Sequence, residues 1–198
     1  MSAVGQGRSE DEPAVRADEP AVRPDEPTLL TGEPALCADE PALRTAGPDD
    51  AAALVAVWRR AVLATHDFLA PEDVGRYEAV VRAGLPDLTV TLAERQGRVL
   101  GFVAVAVAGD GARVEMLFVD PDVHGSGVGS ALLRHATAGR PVVELDVNEQ
   151  NPGARAFYAR RGFVEVGRSA LDDDGRPYPL LHLRRIAPAA GERSVTAP

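Results

Sequence analysis

No lysine occurs anywhere in the 198 residues; all 21 basic side chains are arginine. A P-loop, which needs a lysine on the phosphates, and a lysine Schiff base are both excluded by that absence. Cysteine is nearly as scarce. Cys37 stands alone, so the chain can build neither an internal disulfide nor a cysteine-based zinc site. Apolar runs of the ~20 residues that cross a bilayer are missing. So is a basic stretch followed by an apolar one at the N-terminus, the mark of a secretory signal. A cytoplasmic location is expected, with no membrane partner. Basic surplus is missing too: the net charge is −9. Without excess cations a surface releases no counterions from phosphates, so no nucleic-acid partner is expected.

What is present is unevenly spread. Residues 1–45 hold ten acids and four arginines, net −6, leaving −3 for the remainder. That acidity lies in a seven-residue repeat: Asp11–Ala17, Asp18–Pro24, Asp25–Thr31, Gly32–Ala38 and Asp39–Thr45. A period of seven suits a coiled coil, but a proline in every copy breaks each helical turn. Residues 1–41 are therefore expected to form a disordered acidic arm. The last copy doubles as a first strand, Ala42–Thr45. The folded domain is expected over 42–187, with a flexible tail over 188–198.

Within the domain the patterns alternate. Asp49 or Asp50 is positioned to cap a helix whose stripe is Leu54, Val57, Trp58, Ala61 and Val62. A second helix over Pro71–Ala83 opens on proline and stops at Gly84. Strands follow at Thr89–Glu94, Val99–Ala108 and Arg113–Val119, the middle one apolar enough to be central. A loop, Asp120–Ser126, leads to a helix carrying Val128, Ala131, Leu132 and Ala136. Next come a strand, Val142–Val147, and a helix capped by Asn151 with Pro152 behind it, ending near Arg161–Gly162. Two closing strands, Val164–Gly167 and Pro179–Arg184, flank an acidic turn at Asp172–Gly175. That turn lacks the 12-residue ligand spacing of a calcium loop and reads as a solvated hairpin. The sum is a mixed α/β fold, a mostly antiparallel central sheet flanked by helices.

The segment with chemical content runs Phe118-Val119-Asp120-Pro121-Asp122-Val123-His124-Gly125-Ser126-Gly127-Val128-Gly129-Ser130. A strand feeds a loop, three alternate glycines and a helix. Unpaired amides at a helix start attract anions, and glycines let backbone approach a pyrophosphate. A dinucleotide fingerprint is the rival, with Glu144 or Asp146 as its acid. It needs a third glycine near Ser130 and a tight turn, where a five-residue spacer stands instead.

This segment resembles motif A of the GCN5-related N-acetyltransferases (GNAT), Arg/Gln-x-x-Gly-x-Gly/Ala. Gly127 and Gly129 match, and His124 stands where arginine or glutamine is usual. The stretch from Asn148 through Ala154, Phe157-Tyr158 and Gly162-Phe163 is similar to the family's second signature. Ala64-Thr65-His66-Asp67-Phe68-Leu69 and Gly175–Leu181 resemble the bacterial YjaB-type branch.

The resemblance implies an acetyl transfer from acetyl-CoA to a primary amine, on a small molecule or a protein lysine, with no metal. Backbone of Leu117, Phe118 and Val119 is expected to pair with pantetheine, and amides of His124, Gly125, Ser126, Gly127, Val128, Gly129 and Ser130 to hold the pyrophosphate. Tyr158 is expected beside the sulfur as the acid that protonates the leaving thiolate, and Asn148 and Asn151 near the cofactor. Glu115 is either the base, acting directly or through water, or a solvated carboxylate. His66 and His182 are expected on the acceptor side. Arg160-Arg161 reads either as a site for the 3′-phosphate or as a helix cap. A catalytically silent acyl-CoA sensor of the same fold is the alternative function. Monomer and homodimer both remain open.

Overall fold

The longest strand shows why this chain folds in layers. β3 spans Arg98–Ala108, and every residue from Val99 to Val105 is buried. Leu100, Val103 and Val105 enter one apolar cluster, while Val99, Phe102 and Ala104 enter another. A strand with a core on each side is central. The computed structural model describes residues 41–187; the expected repeat arm, save its last residue, and the expected tail lie outside them.

Around β3 lie β1 (Ala42–Thr45), β2 (Thr89–Arg95), β4 (Gly111–Val119), β5 (Val142–Asn148), β6 (Val164–Ser169) and β7 (Leu180–Ile186). They form one sheet in the order β1-β2-β3-β4-β5-β7-β6. Every neighbouring pair is antiparallel except β4 with β5. Helices α1 (Ala51–Thr65) and α2 (Pro71–Gly84) bury Leu54, Trp58, Val74 and Val81 in the cluster of Phe102. Helices α3 (Val128–Ala136) and α4 (Pro152–Ala159) send Leu132, Leu133 and Tyr158 to the cluster of Val103. The expected α/β class and its mixed, mostly antiparallel sheet are what the chain adopts.

Local signals mostly do what their chemistry predicts. Asn151 Oδ1 accepts the Ala154 amide at 2.9 Å, and Pro152 opens α4. The cap of α1 is a correction. Neither Asp49 nor Asp50 makes a side-chain cap bond there. Asp50 Oδ2 instead accepts the Gly47 amide at 2.8 Å, and its two oxygens take Arg44 at 2.7 and 2.8 Å. A short 3-10 turn, Pro48–Asp50, runs straight into α1, and Arg44 at the end of β1 offers charge-assisted bonds that a neutral amide cannot match. Element ends move by one or two residues: β3 starts at Arg98, β4 at Gly111, β7 at Leu180, and α4 stops at Ala159.

The acidic turn before β7 is a built loop. Asp172 Oδ1 accepts the amides of Asp174 and Arg176, at 3.0 and 2.8 Å. Tyr77 on α2 donates to Asp172, and Tyr178 donates to buried Asp73 at 2.7 Å. Arg176 also pairs with Asp73, so the loop is fastened to the start of α2.

Candidate active site

The site begins where the sheet stops being a sheet. β4 and β5 pair only at Ala112–Val143, Arg113–Glu144 and Val114–Leu145, and then part. At the same point the register with β3 steps from Val105–Val114 to Ala104–Met116. Glu115 is thus the extra residue of a β-bulge, which bends its strand and sharpens the twist. From the bulge to Val119, β4 has β3 on one edge and no strand on the other. A cleft of about 680 Å³ opens in that wedge, within the range of small-ligand sites.

One end of the cleft is backbone. Gly125 and Gly127 have φ of +81° and +92°, and a Cβ at either would meet nothing within 4 Å. Their role is conformational: an L side chain resists this region. Gly129 is different, because its Cβ would lie 3.3 Å from Val119 Cγ2 and 3.5 Å from the Phe157 ring. The Ala131 amide bonds Gly127 O at 3.0 Å, starting the helical ladder, so the amides of Val128, Gly129 and Ser130 precede it and are without an intrahelical acceptor. The His124 and Ser126 amides are engaged within the loop, with Pro121 O at 3.1 Å and Val123 O at 3.2 Å. His124 Nε2 donates to Val119 O at 3.0 Å, so the side chain folds back over the last carbonyl of β4.

The turn from β4 into this loop hangs on Asp120, which is fully buried. Arg60 and Arg98 reach its Oδ2 at 2.5 and 2.7 Å, and its own amide bonds Leu100 O at 2.8 Å. Burial alone would raise its carboxyl, but Arg98, the Asp122 amide and Arg60 outweigh it and hold the group below the ordinary range. Arg161 fastens α4 to α3, bonding Phe157 O at 2.6 Å and Ser130 Oγ, with its guanidinium 3.5 Å from the Phe157 ring centre. Of its two readings, the cap is the contact it makes.

The other end is side chains. Tyr158 is 8% exposed, its ring packed on Phe157 and Phe163 at 5.2 and 5.5 Å between centroids. Its hydroxyl has no partner among the described residues, yet is not one of their sealed polar atoms, so its small exposure falls on the cleft. Burial pushes the phenol above its ordinary range, against a smaller opposing pull from Arg161. The phenol stays protonated at neutral pH and is a donor. Glu115 lines the cleft from the bulge, 3.3 Å from Arg113 Nε. Arg113 reaches Asp146 at 2.6 Å. His66 ends α1, its Nδ1 2.8 Å from Thr65 Oγ1 and its ring against Phe68 and Phe118.

Of the residues expected at the site, Glu115, Leu117, Phe118, Val119, His124, Gly125, Gly127, Val128, Gly129, Ser130, Asn148, Asn151, Tyr158 and His66 all line this cleft. Ser126 and His182 do not. The Ser126 hydroxyl turns away to Val123 O at 2.7 Å. His182 stands one residue back, its Nδ1 2.7 Å from Asp146 and its Nε2 2.9 Å from Ser169 Oγ. Thr65 and Asp146 are also in the wall; sequence reasoning names Thr65 only within the YjaB-like stretch and Asp146 only as an acid of the rival dinucleotide fingerprint. The alternation of Val143, Leu145 and Val147 marked Asp146 as facing away from that core, without showing that a cleft lies there.

A parallel seam that parts, a bulge at the parting and a glycine turn with free helix-start amides thus frame one cleft. The model of the acetyltransferase (GNAT) domain matches residues 86–165. The chain is 44% identical over 145 residues to the peptidyl-lysine N-acetyltransferase YjaB of Escherichia coli K12, covering 72% of this chain and 95% of that one. It is 40% identical over 141 residues to the YjaB of Salmonella typhimurium, covering 71% and 94%. The solution structure of apo YjaB from Escherichia coli superposes with a TM-score of 0.66 over 75% of this chain and 99% of that one, at 40% identity. The chain belongs to the GNAT family and is an acetyltransferase that takes its acetyl group from acetyl-CoA.

Proposed function

We propose that the acceptor is a lysine side chain on a protein or peptide, and that the two ends of the cleft divide the work. The observation that carries this reading is the wedge at Glu115: a free backbone edge with Tyr158 in one wall and carboxylates in another. Unpaired amides of Val128, Gly129 and Ser130 suit a pyrophosphate, and the edge at Leu117, Phe118 and Val119 suits an amide-bearing arm such as pantetheine. A cleft walled by Glu115 and Asp146 suits a cationic acceptor. The relatives named as peptidyl-lysine acetyltransferases point to the same acceptor.

A lysine amine is ordinarily near pKa 10.4, and it attacks only once neutral. Glu115 draws the ammonium to the bulge. A backbone amide there meets the oxyanion as it forms, which preorganised donors stabilise best. Tyr158 protonates the departing thiolate. Asn148 and Asn151 shape the cofactor wall, Asn151 by holding α4 in place. His182 sets Asp146 from behind.

The test is thiol release from acetyl-CoA with lysine peptides, free N-terminal peptides, polyamines and aminoglycosides, each against a no-acceptor control. Lacking lysine, the enzyme contributes no acetyl-lysine side chain of its own, so the product is read from the peptide alone. Release with lysine peptides above the other amines is expected. Acetyl-CoA binding without turnover on any amine would point to a silent sensor, and release with another amine class alone would move the acceptor.

A further inference from the structure

Transfer to an amine leaves a proton to be removed, and the hydrogen bonds around His66 say which atom can take it. A threonine hydroxyl has one proton. Thr65 Oγ1 lies 2.8 Å from Ala61 O, which can only accept, so that proton is committed to the carbonyl. The same oxygen lies 2.8 Å from His66 Nδ1. It meets that nitrogen as an acceptor, so Nδ1 carries a hydrogen and Nε2 keeps the lone pair. Nε2 has no partner among the described residues and is not one of their sealed polar atoms. The ring lines the cleft.

We infer that His66, held in its Nδ1–H tautomer by Thr65, is the base that takes the acceptor amine's proton at Nε2. The assignment rests on the acetyltransferase reading and refines it. Glu115 already has Arg113 as a cation partner and acts as the counter-charge that gathers the ammonium. The gathered ammonium gives its first proton to solvent, the neutral amine forms the C–N bond, and the C–S bond breaks with its electron pair on sulfur. The surplus N–H proton passes to Nε2, Tyr158 gives its proton to the thiolate, and solvent carries the proton from imidazolium back to the tyrosine. Thr65 is a positioning residue.

The surroundings keep the ring neutral and ready. Burial holds it below the ordinary histidine value, opposed by the adjacent Asp67. β4 faces it with Phe118 and its own loop with Phe68, both uncharged. The other titratable side chains of the cleft are Glu115, Asp146, His124 and Tyr158, with Arg160 and Arg161 on its α4 side. Protonation at Nε2 removes the lone pair, so activity is present above the His66 pKa and lost as pH falls through it.

Two measurements on the full chain decide this. Long-range proton–nitrogen correlation spectra of the histidine rings are expected to show His66 with its hydrogen on Nδ1; a hydrogen on Nε2 overturns the assignment. The pH profile of kcat is expected to fall on its acid side in the wild type. His66→Gln should abolish that limb and lower kcat by about 10²-fold, the smaller end of general-base effects, with acetyl-CoA affinity unchanged. Thr65→Val should keep the limb at a kcat reduced several-fold, even if His66→Gln proves unstable. An intact limb in His66→Gln, or full kcat in both variants, refutes the base. A wild type that turns over no amine removes the acetyltransferase reading first, and the base assignment with it.

Discussion

The two ends of the cleft are made of different material. The end toward α3 is one continuous stretch, Phe118–Ser130, and what it offers is backbone: unpaired amides, two glycines at positive φ and a third whose Cβ would lie 3.3 Å from Val119 Cγ2. The end toward α1 is assembled from four elements. Its groups are His66 at the end of α1, Glu115 on the β4 bulge, Asp146 on β5 and Tyr158 on α4. Holding a phosphate needs fixed dipoles, which a single turn supplies. Moving protons needs side chains converging from several directions, which only the topology supplies. On the proposed roles, binding and chemistry are separable, and substitutions at one end should leave the other nearly untouched.

The largest effect that sharpens this division is expected from Tyr158→Phe. The ring packing against Phe157 and Phe163 survives, and only the hydroxyl is lost. Stopped-flow or steady-state thiol release should show kcat lowered by about 10²-fold, the smaller end of general-acid effects, because a thiolate is a fair leaving group. The acetyl-CoA dissociation constant, read by calorimetry, should not move. A matching loss in affinity would break the division, since it would place Tyr158 among the binding groups.

Next in size is Gly127→Ala. Open space surrounds the new methyl, so the cost is conformational alone at φ +92°. An L residue there is strained by roughly 1–2 kcal/mol, and relaxing the turn would carry the helix-start amides out of line. Affinity for acetyl-CoA should fall by about tenfold, the equivalent of 1.4 kcal/mol, while kcat at saturation stays within about twofold of the wild type. A collapse of kcat at saturating acetyl-CoA would show that the turn also aligns the thioester.

The same division explains what the sequence made legible. Strand alternation, apolar β3 and the Asn151-Pro152 cap are local signals, and each element they mark is present. The glycine turn proposed to hold the pyrophosphate was legible because its residues are consecutive. The acceptor end was not. Glu115 was visible as an interruption of an apolar strand, but its place on a bulge depends on the register with β3. Asp146 and Thr65 carried no expected role in acetyl transfer, and their meaning lies in partners 33 and 4 residues away, Arg113 and Ala61. Asp50 failed as the cap of α1 for a related reason: Arg44, on another element, claimed its oxygens. Periodicity reports which face is apolar, not which polar groups meet across a cleft.

The smallest effect tests the one side chain that departs from motif A at the backbone end. His124 is exposed, and its Nε2 is spent on Val119 O. His124→Arg would place a permanent, delocalised cation beside the helix-start amides. An exposed ion pair contributes about 0.2–1 kcal/mol, so acetyl-CoA should bind up to about fivefold more tightly. The gain should shrink as ionic strength rises from about 0.01 M to 0.15 M, because the Debye length falls from about 30 to 8 Å. Calorimetric titration at the two salt concentrations reads both quantities. Tighter, salt-sensitive binding at constant kcat places position 124 wholly at the binding end. An unchanged affinity leaves the amides as the sole anion holders, and a changed kcat breaks the division, because Val119 O would then couple the loop to the reacting strand.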